Sequence, residues 1–455
     1  MTFPVFHGTN TEVRSKLLEA RLTVRCAPVY LSGMVNLILE RVRVIDPAEG
    51  RDETADLVLR DGILQGGAAT TEGLRRIRAE GWIAAPGFWD VHVHFREPGN
   101  TQAETRRSGA GAAAAGGFTH VVTMPNTSPA GDSAVWVQEQ AADDVPVRIL
   151  PAACVTRGRQ GRDLAELEAL AQAGAVAFTD DGAMVADEDV MRCAMTRARA
   201  LNRPVMDHAV VPSIAGKGVV RDCPLARANG WPIFPAEAEV EAVRRDIRLC
   251  RETGCATHIQ HVSCAESVAA IRVARAEGLP VTAEVTPHHL ALAAEDIPSD
   301  DGHFRMSPPL GTRKDARALR EAVLDGTLGL FATDHAPHTP ETKTHGFLRA
   351  AFGVIGLETA IGVTWRILVE EEGMTPLDWV ARWSCGPAAL LRQPVPALRP
   401  GLPVDLVLID PATPWIVNPE TFRSRSRNTP FAGWNLHARA RLTVCGGRAT
   451  YSDLP

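Results

Sequence analysis

Lysine is scarce in this chain. Lys16, Lys217, Lys314 and Lys343 are the only four among 48 basic residues, so positive charge is carried almost wholly by arginine. These arginines gather into no basic stripe or tail, and the net charge is −6. Nucleic acid and anionic membranes therefore lack an electrostatic footprint here. No apolar run approaches the ~18 residues a membrane-spanning helix needs. The first 33 residues lack the apolar segment of a secretory signal, and Glu12 and Glu19 among Arg14, Lys16, Arg21 and Arg25 argue against a transit peptide. Pairing signals for cysteine are also missing. The nine cysteines are odd in number and include no CxxC, which predicts reduced thiols in a cytoplasmic protein rather than a disulfide framework. A GxSxG elbow and a Walker A loop are absent, so serine-nucleophile and P-loop chemistry have no support.

What is present is a long chain, 455 residues with 45% hydrophobic content, enough for a large core. Residues 1–34 read as an N-terminal extension lacking ordered structure, since the first strand-like segment follows Met34. Residues 35–86 alternate apolar and polar residues between turn signals and show no helical period, so they predict a small β unit. A second β-rich piece, 391–455, contains GLPVDLVLID (401–410) and ARLTVCGGRATYS (440–452). The two pieces would pack together as one small β-sandwich. Between them, residues 87–390 alternate strand and helix. The expected strands are 90–95, 118–124, 147–153, 175–180, 204–208, 257–262, 280–285 and 328–334, with helices such as 165–174 and 266–278 between them. This predicts an α/β fold, a (β/α)8 barrel of TIM type, with a doubly wound open sheet as the alternative.

Active-site residues of such barrels lie at the C-terminal ends of the strands. His92 and His94 stand two apart near the end of the first strand, so both imidazoles face one side. Asp180 and Asp181 close the fourth strand, His208 the fifth and Asp334 the eighth, and His261 lies near the end of the sixth. Each has a plain structural reading: an HxH is often incidental, a DDG is usually a turn, and a lone histidine is more often a satisfied core group than a ligand. TDHAPH (333–338) is more specific, because two histidines and an aspartate beside prolines make a poor core strand. Jointly they predict a metal site. Six His or Asp positions exceed the need of one tetrahedral zinc. They suit a two-metal site in which a carboxylate bridges the ions, and such a site hydrolyses amides or esters without a side-chain nucleophile.

DVHVHFREPG (90–99), VVTMPNTSP (121–129), AFTDDG (177–182), HVS (261–263), EVTPHHL (284–290), ATDHAPH (332–338), FGVIGLET (352–359) and SRNTPFAG (426–433) together resemble the motifs of class I bacterial dihydroorotases, in that family's order. The family belongs to the amidohydrolase superfamily, whose fold is the barrel with a small sandwich. The resemblance implies two Zn2+ per subunit: His92, His94 and Asp334 on the first, His208 and His261 on the second, and Asp181 bridging. Asp181 is chosen over Asp180 because its spacing to His208 matches the family. Related hydantoinases and allantoinases bridge with a carboxylated lysine at this strand end, and no lysine lies between Lys16 and Lys217 here. The implied substrate is dihydroorotate, opened reversibly to N-carbamoyl-L-aspartate in pyrimidine biosynthesis, with Asp334 as the catalytic proton carrier. Arg96 would pair with the substrate carboxylate, the bland alternative being a surface ion pair with Glu97. His94, Phe95, Asn126, Ser307, His338, Phe352 and Gly353 would be further substrate contacts. Residues 339–349 would form a mobile loop at the mouth.

Two departures stand out. MSPPL places Ser307 where the family has asparagine, and HAVV follows His208 where the family has Cys and Glu. Ser307 keeps open another cyclic amidohydrolase, acting on hydantoins, dihydropyrimidines or allantoin. An inactive paralogue serving as a structural subunit of aspartate transcarbamoylase is a further alternative, although such paralogues lose their ligands. A homodimer is expected by analogy; family members occur both free and complexed with aspartate transcarbamoylase, and the sequence does not choose between the two.

Overall fold

The structure, a computed structural model, describes residues 33–67, 70–142 and 145–455; the expected extension over 1–34 lies almost wholly outside them. All eight expected barrel strands form: β1 (Phe88–Val93), β2 (Phe118–Thr123), β3 (Arg148–Ala153), β4 (Ala177–Phe178), β5 (Val205–Asp207), β6 (Thr257–Ile259), β7 (Val281–Val285) and β8 (Leu330–Phe331). They lie side by side in chain order, each parallel to the next. A parallel bridge between Val93 and His335, with His94 N–H donating to the His335 carbonyl at 2.9 Å, joins the first strand to the end of the eighth and closes the barrel.

Helices fill each crossover. Their starts carry side-chain caps that satisfy otherwise orphaned amides. Thr105 caps Arg106–Ala115 in a reciprocal pair with Ser108, Asp187 caps Glu188–Ala200, and Thr312 caps Arg313–Leu324 with Asp315. The helix Pro376–Trp383 packs over the seam where β8 meets β1. Its fully buried Trp379 and Trp383 meet Phe88 of β1, Phe118 of β2 and Phe331 of β8 at ring-centroid distances of 5.1–6.3 Å. Both indole N–H groups donate to Thr364 Oγ1, at 3.0 and 3.3 Å, so neither is left unsatisfied.

The terminal segments build one hydrogen-bonded sheet. Its order runs Arg448–Ser452, Arg439–Cys445, Leu406–Asp410, Ile83–Pro86, Leu37–Asp46, Arg51–Arg60, Ile63–Leu64, with Arg75–Arg78 also on Leu37–Asp46. The pairing of Leu406–Asp410 with Ile83–Pro86 welds the two ends of the chain. Strand alternation then explains how this sheet serves two cores. Leu406 and Leu408 point into the sheet's own apolar cluster, whereas Val407 and Ile409 join the main cluster with the barrel helices. Gly62 and Gly447 sit back to back in two hairpin turns with φ of 73° and 78°. A Cβ on Gly62 would lie 2.4 Å from the Gly447 carbonyl oxygen, so both positions require glycine.

Trp383→Ala empties the centre of the seam, and Trp-to-Ala changes in a core cost about 3–5 kcal/mol. Urea unfolding of W383A is expected to show a loss in that range at an unchanged denaturant slope. A midpoint within error of the parent would mean the seam is not held there.

Candidate metal centre and active site

The barrel closes so that residues 240 positions apart touch: His94 Nε2 lies 3.0 Å from Asp334 Oδ1. Around this contact the structure assembles all six strand-end groups predicted from sequence. His92 Nε2 is 3.2 Å from Asp181 Oδ1 and 3.6 Å from Asp334 Oδ1. His94 Nε2 is 3.6 Å from Asp181 Oδ2, and His208 Nδ1 is 3.8 Å from Asp181 Oδ1. His261 Nε2 stands 2.8 Å from His208 Nδ1. All six are buried. Two groupings are compact enough to hold a metal ion, His92–His94–Asp334 and His92–Asp181–His261.

The residues fit such a guest. His92 Nε2 and Asp181 Oδ1 face one another, both buried and without a hydrogen-bond partner, which is costly unless something else binds them. His92 Nδ1 is 2.7 Å from Glu284 Oε1, and His94 Nδ1 is 2.9 Å from Asn126 Oδ1. Each acceptor takes the Nδ1 proton and leaves the Nε2 lone pair aimed into the site. The donor set, four imidazoles and two carboxylates, suits zinc.

Electrostatics point the same way. Burial would lower His92, but Asp181, Glu284 and Asp334 outweigh it and raise its pKa well above the usual range. The protein by itself thus draws a positive charge into this space. Burial opposes ionisation of Asp181 and Asp334 too, yet the neighbouring histidines hold both well below the ordinary carboxylate range. Burial, then His208 and His92, push His261 down to about 3, and burial lowers His208, so both stay neutral as ligands must.

Asp180 and Asp181, alike in sequence, part in the structure. Asp180 Oδ1 accepts from Val155 N at 2.9 Å and Thr156 N at 3.1 Å, and its other oxygen takes the Thr156 hydroxyl. It anchors a loop, which leaves Asp181 to face the histidines.

Five of the six groups, all but the fully buried His92, open into a cavity of about 330 Å³ that is also lined by Arg96, Asn126, Gly182, Ser307, Ala336, His338, Phe352 and Gly353. Arg96 does not pair with Glu97, whose Oε2 instead accepts from Arg106 N at 2.7 Å. Among the described residues Arg96 has no carboxylate within 4.0 Å. Its Nε donates to the Pro337 carbonyl at 3.1 Å, and one terminal nitrogen lies 3.5 Å from His338 Nε2, at the cavity wall. His338 Nε2 sits 2.6 Å from the Phe352 carbonyl and donates to it, and burial with the nearby Arg96 charge pushes His338 down to about 3. It is neutral, with Nδ1 as its acceptor. The Gly353 N–H and carbonyl are both engaged internally, by the Arg305 carbonyl and by Lys343 and Asn428, so Gly353 offers the cavity a flat wall.

Phe95 needs correction. It was expected among the substrate contacts, but it lies in the core and does not line the cavity. A Cβ on Gly109 would meet its ring at 2.3 Å, so the side chain faces the helix Arg106–Ala115. Strand alternation dictates this: residues 92 and 94 point inward, and 95 points out.

Several functional groups were missed. Glu284 accepts from His92 and from His258 Nε2 at 2.9 Å, and those contacts outweigh burial to hold it near about 2. Asp90 accepts from Thr333 N at 3.1 Å and Thr333 Oγ1 at 2.5 Å, linking the starts of the two ligand-bearing segments. Arg96, His261 and Asp334 share an unusual backbone, with φ of 45°, 33° and 46°. Non-glycine residues hold such angles only where the surroundings force them. Glu284 lay inside a quoted motif but carried no period-two link to another ligand, and nothing in sequence signals positive φ.

Glu284→Gln removes the anion that orients His92, and losses of this kind cost about 10–100-fold in metal affinity. Competition with a chelator is expected to show that loss in E284Q, with affinity in both proteins falling as pH falls because a proton competes for His92. Unchanged metal retention in E284Q would remove Glu284 from this role.

Comparison with known proteins agrees with the geometry. Residues 81–267 match the family model described as dihydro-orotase-like. The chain is 43% identical over 422 residues to a dihydroorotase of Syntrophotalea carbinolica, covering 92% of this chain and 99% of the relative. It is 41% identical over 423 residues to one from Pelotomaculum thermopropionicum, covering 92% and 99%. In structure it resembles an L-hydantoinase (dihydropyrimidinase) from Arthrobacter aurescens, with a TM-score of 0.82 at 22% identity over 93% of this chain and 97% of that one. A dihydropyrimidinase from Brevibacillus agri gives 0.79 at 23% identity over 92% and 95%. These likenesses carry the fold, a closed eight-stranded barrel with a separate sheet, while the sequence relatives carry the family. The chain belongs to the dihydroorotase family.

Proposed function

We propose that this chain catalyses the reversible hydrolysis of dihydroorotate to N-carbamoyl-L-aspartate, using a pair of zinc ions. The observation that supports it most is Arg96, a cation without a carboxylate partner in the same small cavity as His94, Asp181, His208, His261 and Asp334. Hydantoin and dihydrouracil rings carry no carboxylate to answer that charge. His92, His94 and Asp334 would hold one ion, His208 and His261 the other, with Asp181 between them. Zinc bound there supplies a Lewis acid for the ring carbonyl and lowers the pKa of water.

The chain's own groups do the rest. Arg96 holds the substrate carboxylate through its fork of donors, which fixes which ring carbonyl faces the metal centre. Asn126, held by its bond to His94, and the neutral His338 border the ring. The Asp334 carboxylate, ionised at neutral pH, takes the proton of the attacking water and returns it to the ring nitrogen as the C–N bond breaks. Ring closure is the same sequence reversed. Ser307 lies on the cavity wall with a single hydroxyl where an asparagine would bring a longer amide.

The test is hydrolysis of L-dihydroorotate by the zinc-loaded protein, beside hydantoin, dihydrouracil and allantoin. Dihydroorotate alone is expected to turn over, and Asp334→Ala to lose about 10²–10⁴-fold in rate, the usual worth of a general acid–base group. Arg96→Met should lower kcat/KM for dihydroorotate by roughly 30- to 150-fold, the equivalent of about 2–3 kcal/mol for a lost charge-assisted bond. Preferred turnover of a ring without a carboxylate would keep the metal chemistry and overturn the substrate. Ser307→Asn is expected to lower KM for dihydroorotate, and a raised KM would show that this wall is built around serine.

A further inference from the structure

Of the three lysines among the described residues, one is buried. Lys343, 1% exposed, closes the short helix Pro340–Lys343 that follows β8. Its Nζ donates to three main-chain carbonyls: Arg305 at 3.1 Å, Ala351 at 2.8 Å and Gly353 at 2.9 Å. Among the described residues no carboxylate lies within 4.0 Å of it. Three acceptors require three N–H donors, and an amine nitrogen carries three only as an ammonium. That charge is expensive here. Burial first, then the Arg305 guanidinium, push Lys343 down to about 7. The three carbonyls are what offset the cost.

The identity of those carbonyls gives the lysine its meaning. Arg305 leads into the turn that carries Ser307, and Gly353 belongs to a second lining pair, Phe352–Gly353. The two pieces are already joined by Gly353 N–H donating to the Arg305 carbonyl at 3.0 Å. Arg305 reaches back across the same segment. Its Nη1 donates to the carbonyls of Phe347 at 3.1 Å and Ala350 at 2.6 Å, and also to that of Leu348. Its guanidinium lies 4.1 Å from the Phe352 ring centroid. The segment expected to be a mobile loop is thus tied down by two cations through main-chain oxygens.

We propose that Lys343 is a positioning residue for the ring substrate: its ammonium clasps Phe352–Gly353 to the Arg305–Ser307 turn and so fixes where these two lining pieces stand in the cavity. This rests on reading the cavity as the substrate site. Lys343 does not line the cavity, and its bonds go to main-chain carbonyls, none of them on the six His and Asp groups. Its loss acts on binding and leaves the reacting groups in place, so it falls on KM rather than kcat.

The scarcity of lysine makes a direct test possible on the zinc-loaded wild-type protein. Amine acetylation followed by peptide mass spectrometry is expected to modify the exposed Lys217 and Lys314 at least about tenfold faster than Lys343, since an open clasp is the only route to its nitrogen. N-carbamoyl-L-aspartate should slow Lys343 further. Equal labelling of Lys343 and Lys314, or no effect of this ligand on Lys343, would overturn the clasp. Lys343→Met is then expected to raise KM for dihydroorotate about tenfold or more with kcat within about threefold and metal content unchanged. Amide exchange over residues 344–353 should quicken, and Lys343→Gln, which keeps two donors, should fall between. A K343M protein with wild-type KM and exchange sinks the proposal, as does one losing kcat at constant KM. If K343M does not fold, the wild-type labelling decides. If the wild type opens no dihydroorotate, the substrate assignment fails, and exchange and labelling still judge whether the clasp exists.

Discussion

Three carboxylates, Asp181, Asp334 and Glu284, are packed with the imidazoles of His92, His94, His208 and His261 in a buried space at one end of the barrel. The rest of the structure answers to that concentration of charge. Carboxylates out of water are tolerated only when paired or hydrogen-bonded. Glu284 satisfies the condition with His92, His258 and the His261 amide at 3.2 Å. Asp181 does not, since one of its oxygens has no hydrogen-bond partner. The site is therefore incomplete as a purely protein structure and complete as a cage for cations.

Such a cage needs its ligands held from several directions, and the closed barrel supplies them. The six groups stand at the ends of β1, β4, β5, β6 and β8, so the seam between β8 and β1 decides whether they converge. Two devices secure it. At the ligand end, Asp90 binds Thr333 through both carboxylate oxygens. Burial raises Asp90 to about 7, a cost accepted for a bond that fixes His92 and Asp334 relative to one another. Along the helix Pro376–Trp383, the two tryptophans fill the space against Phe88 and Phe331. The left-handed backbone at Arg96, His261 and Asp334 shows that the convergence is forced on the chain.

Legibility from sequence followed the range of the interaction. Period-two alternation made the eight strands readable and placed His92 and His94 on one face. The same rule, applied one residue further, excludes Phe95, whose ring is in the core. The six His and Asp positions that converge were visible because they occupy equivalent places at strand ends. The choice between Asp180 and Asp181 came only through family spacing, because a doublet at a strand end gives no phase; the structure shows its cause in the Val155 and Thr156 amides that claim Asp180. Glu284, Asp90 and Lys343 were invisible as functional groups. Glu284 and Asp90 meet partners 192 and 243 residues away, and the partners of Lys343, at 8, 10 and 38 residues, are carbonyls, which every residue has.

The distribution of lysine joins these threads. A carboxylated lysine bridging two metals would carry a single negative charge at the end of a long arm. Here the fourth strand ends in AFTDDG, and Asp181 brings a single negative charge on a short arm that faces His92, His94 and His208. Two divalent ions in this cage would more than balance its three carboxylates and leave the cavity positive, with Arg96 adding to the excess. A neutral ring gains nothing from that field, whereas a ring bearing a carboxylate is drawn in and oriented by it. The buried lysine, relieved of any metal role, is free to hold the wall of the cavity. Charge balance at the metals and shape at the wall are thus met by different residues, and each can change without undoing the other.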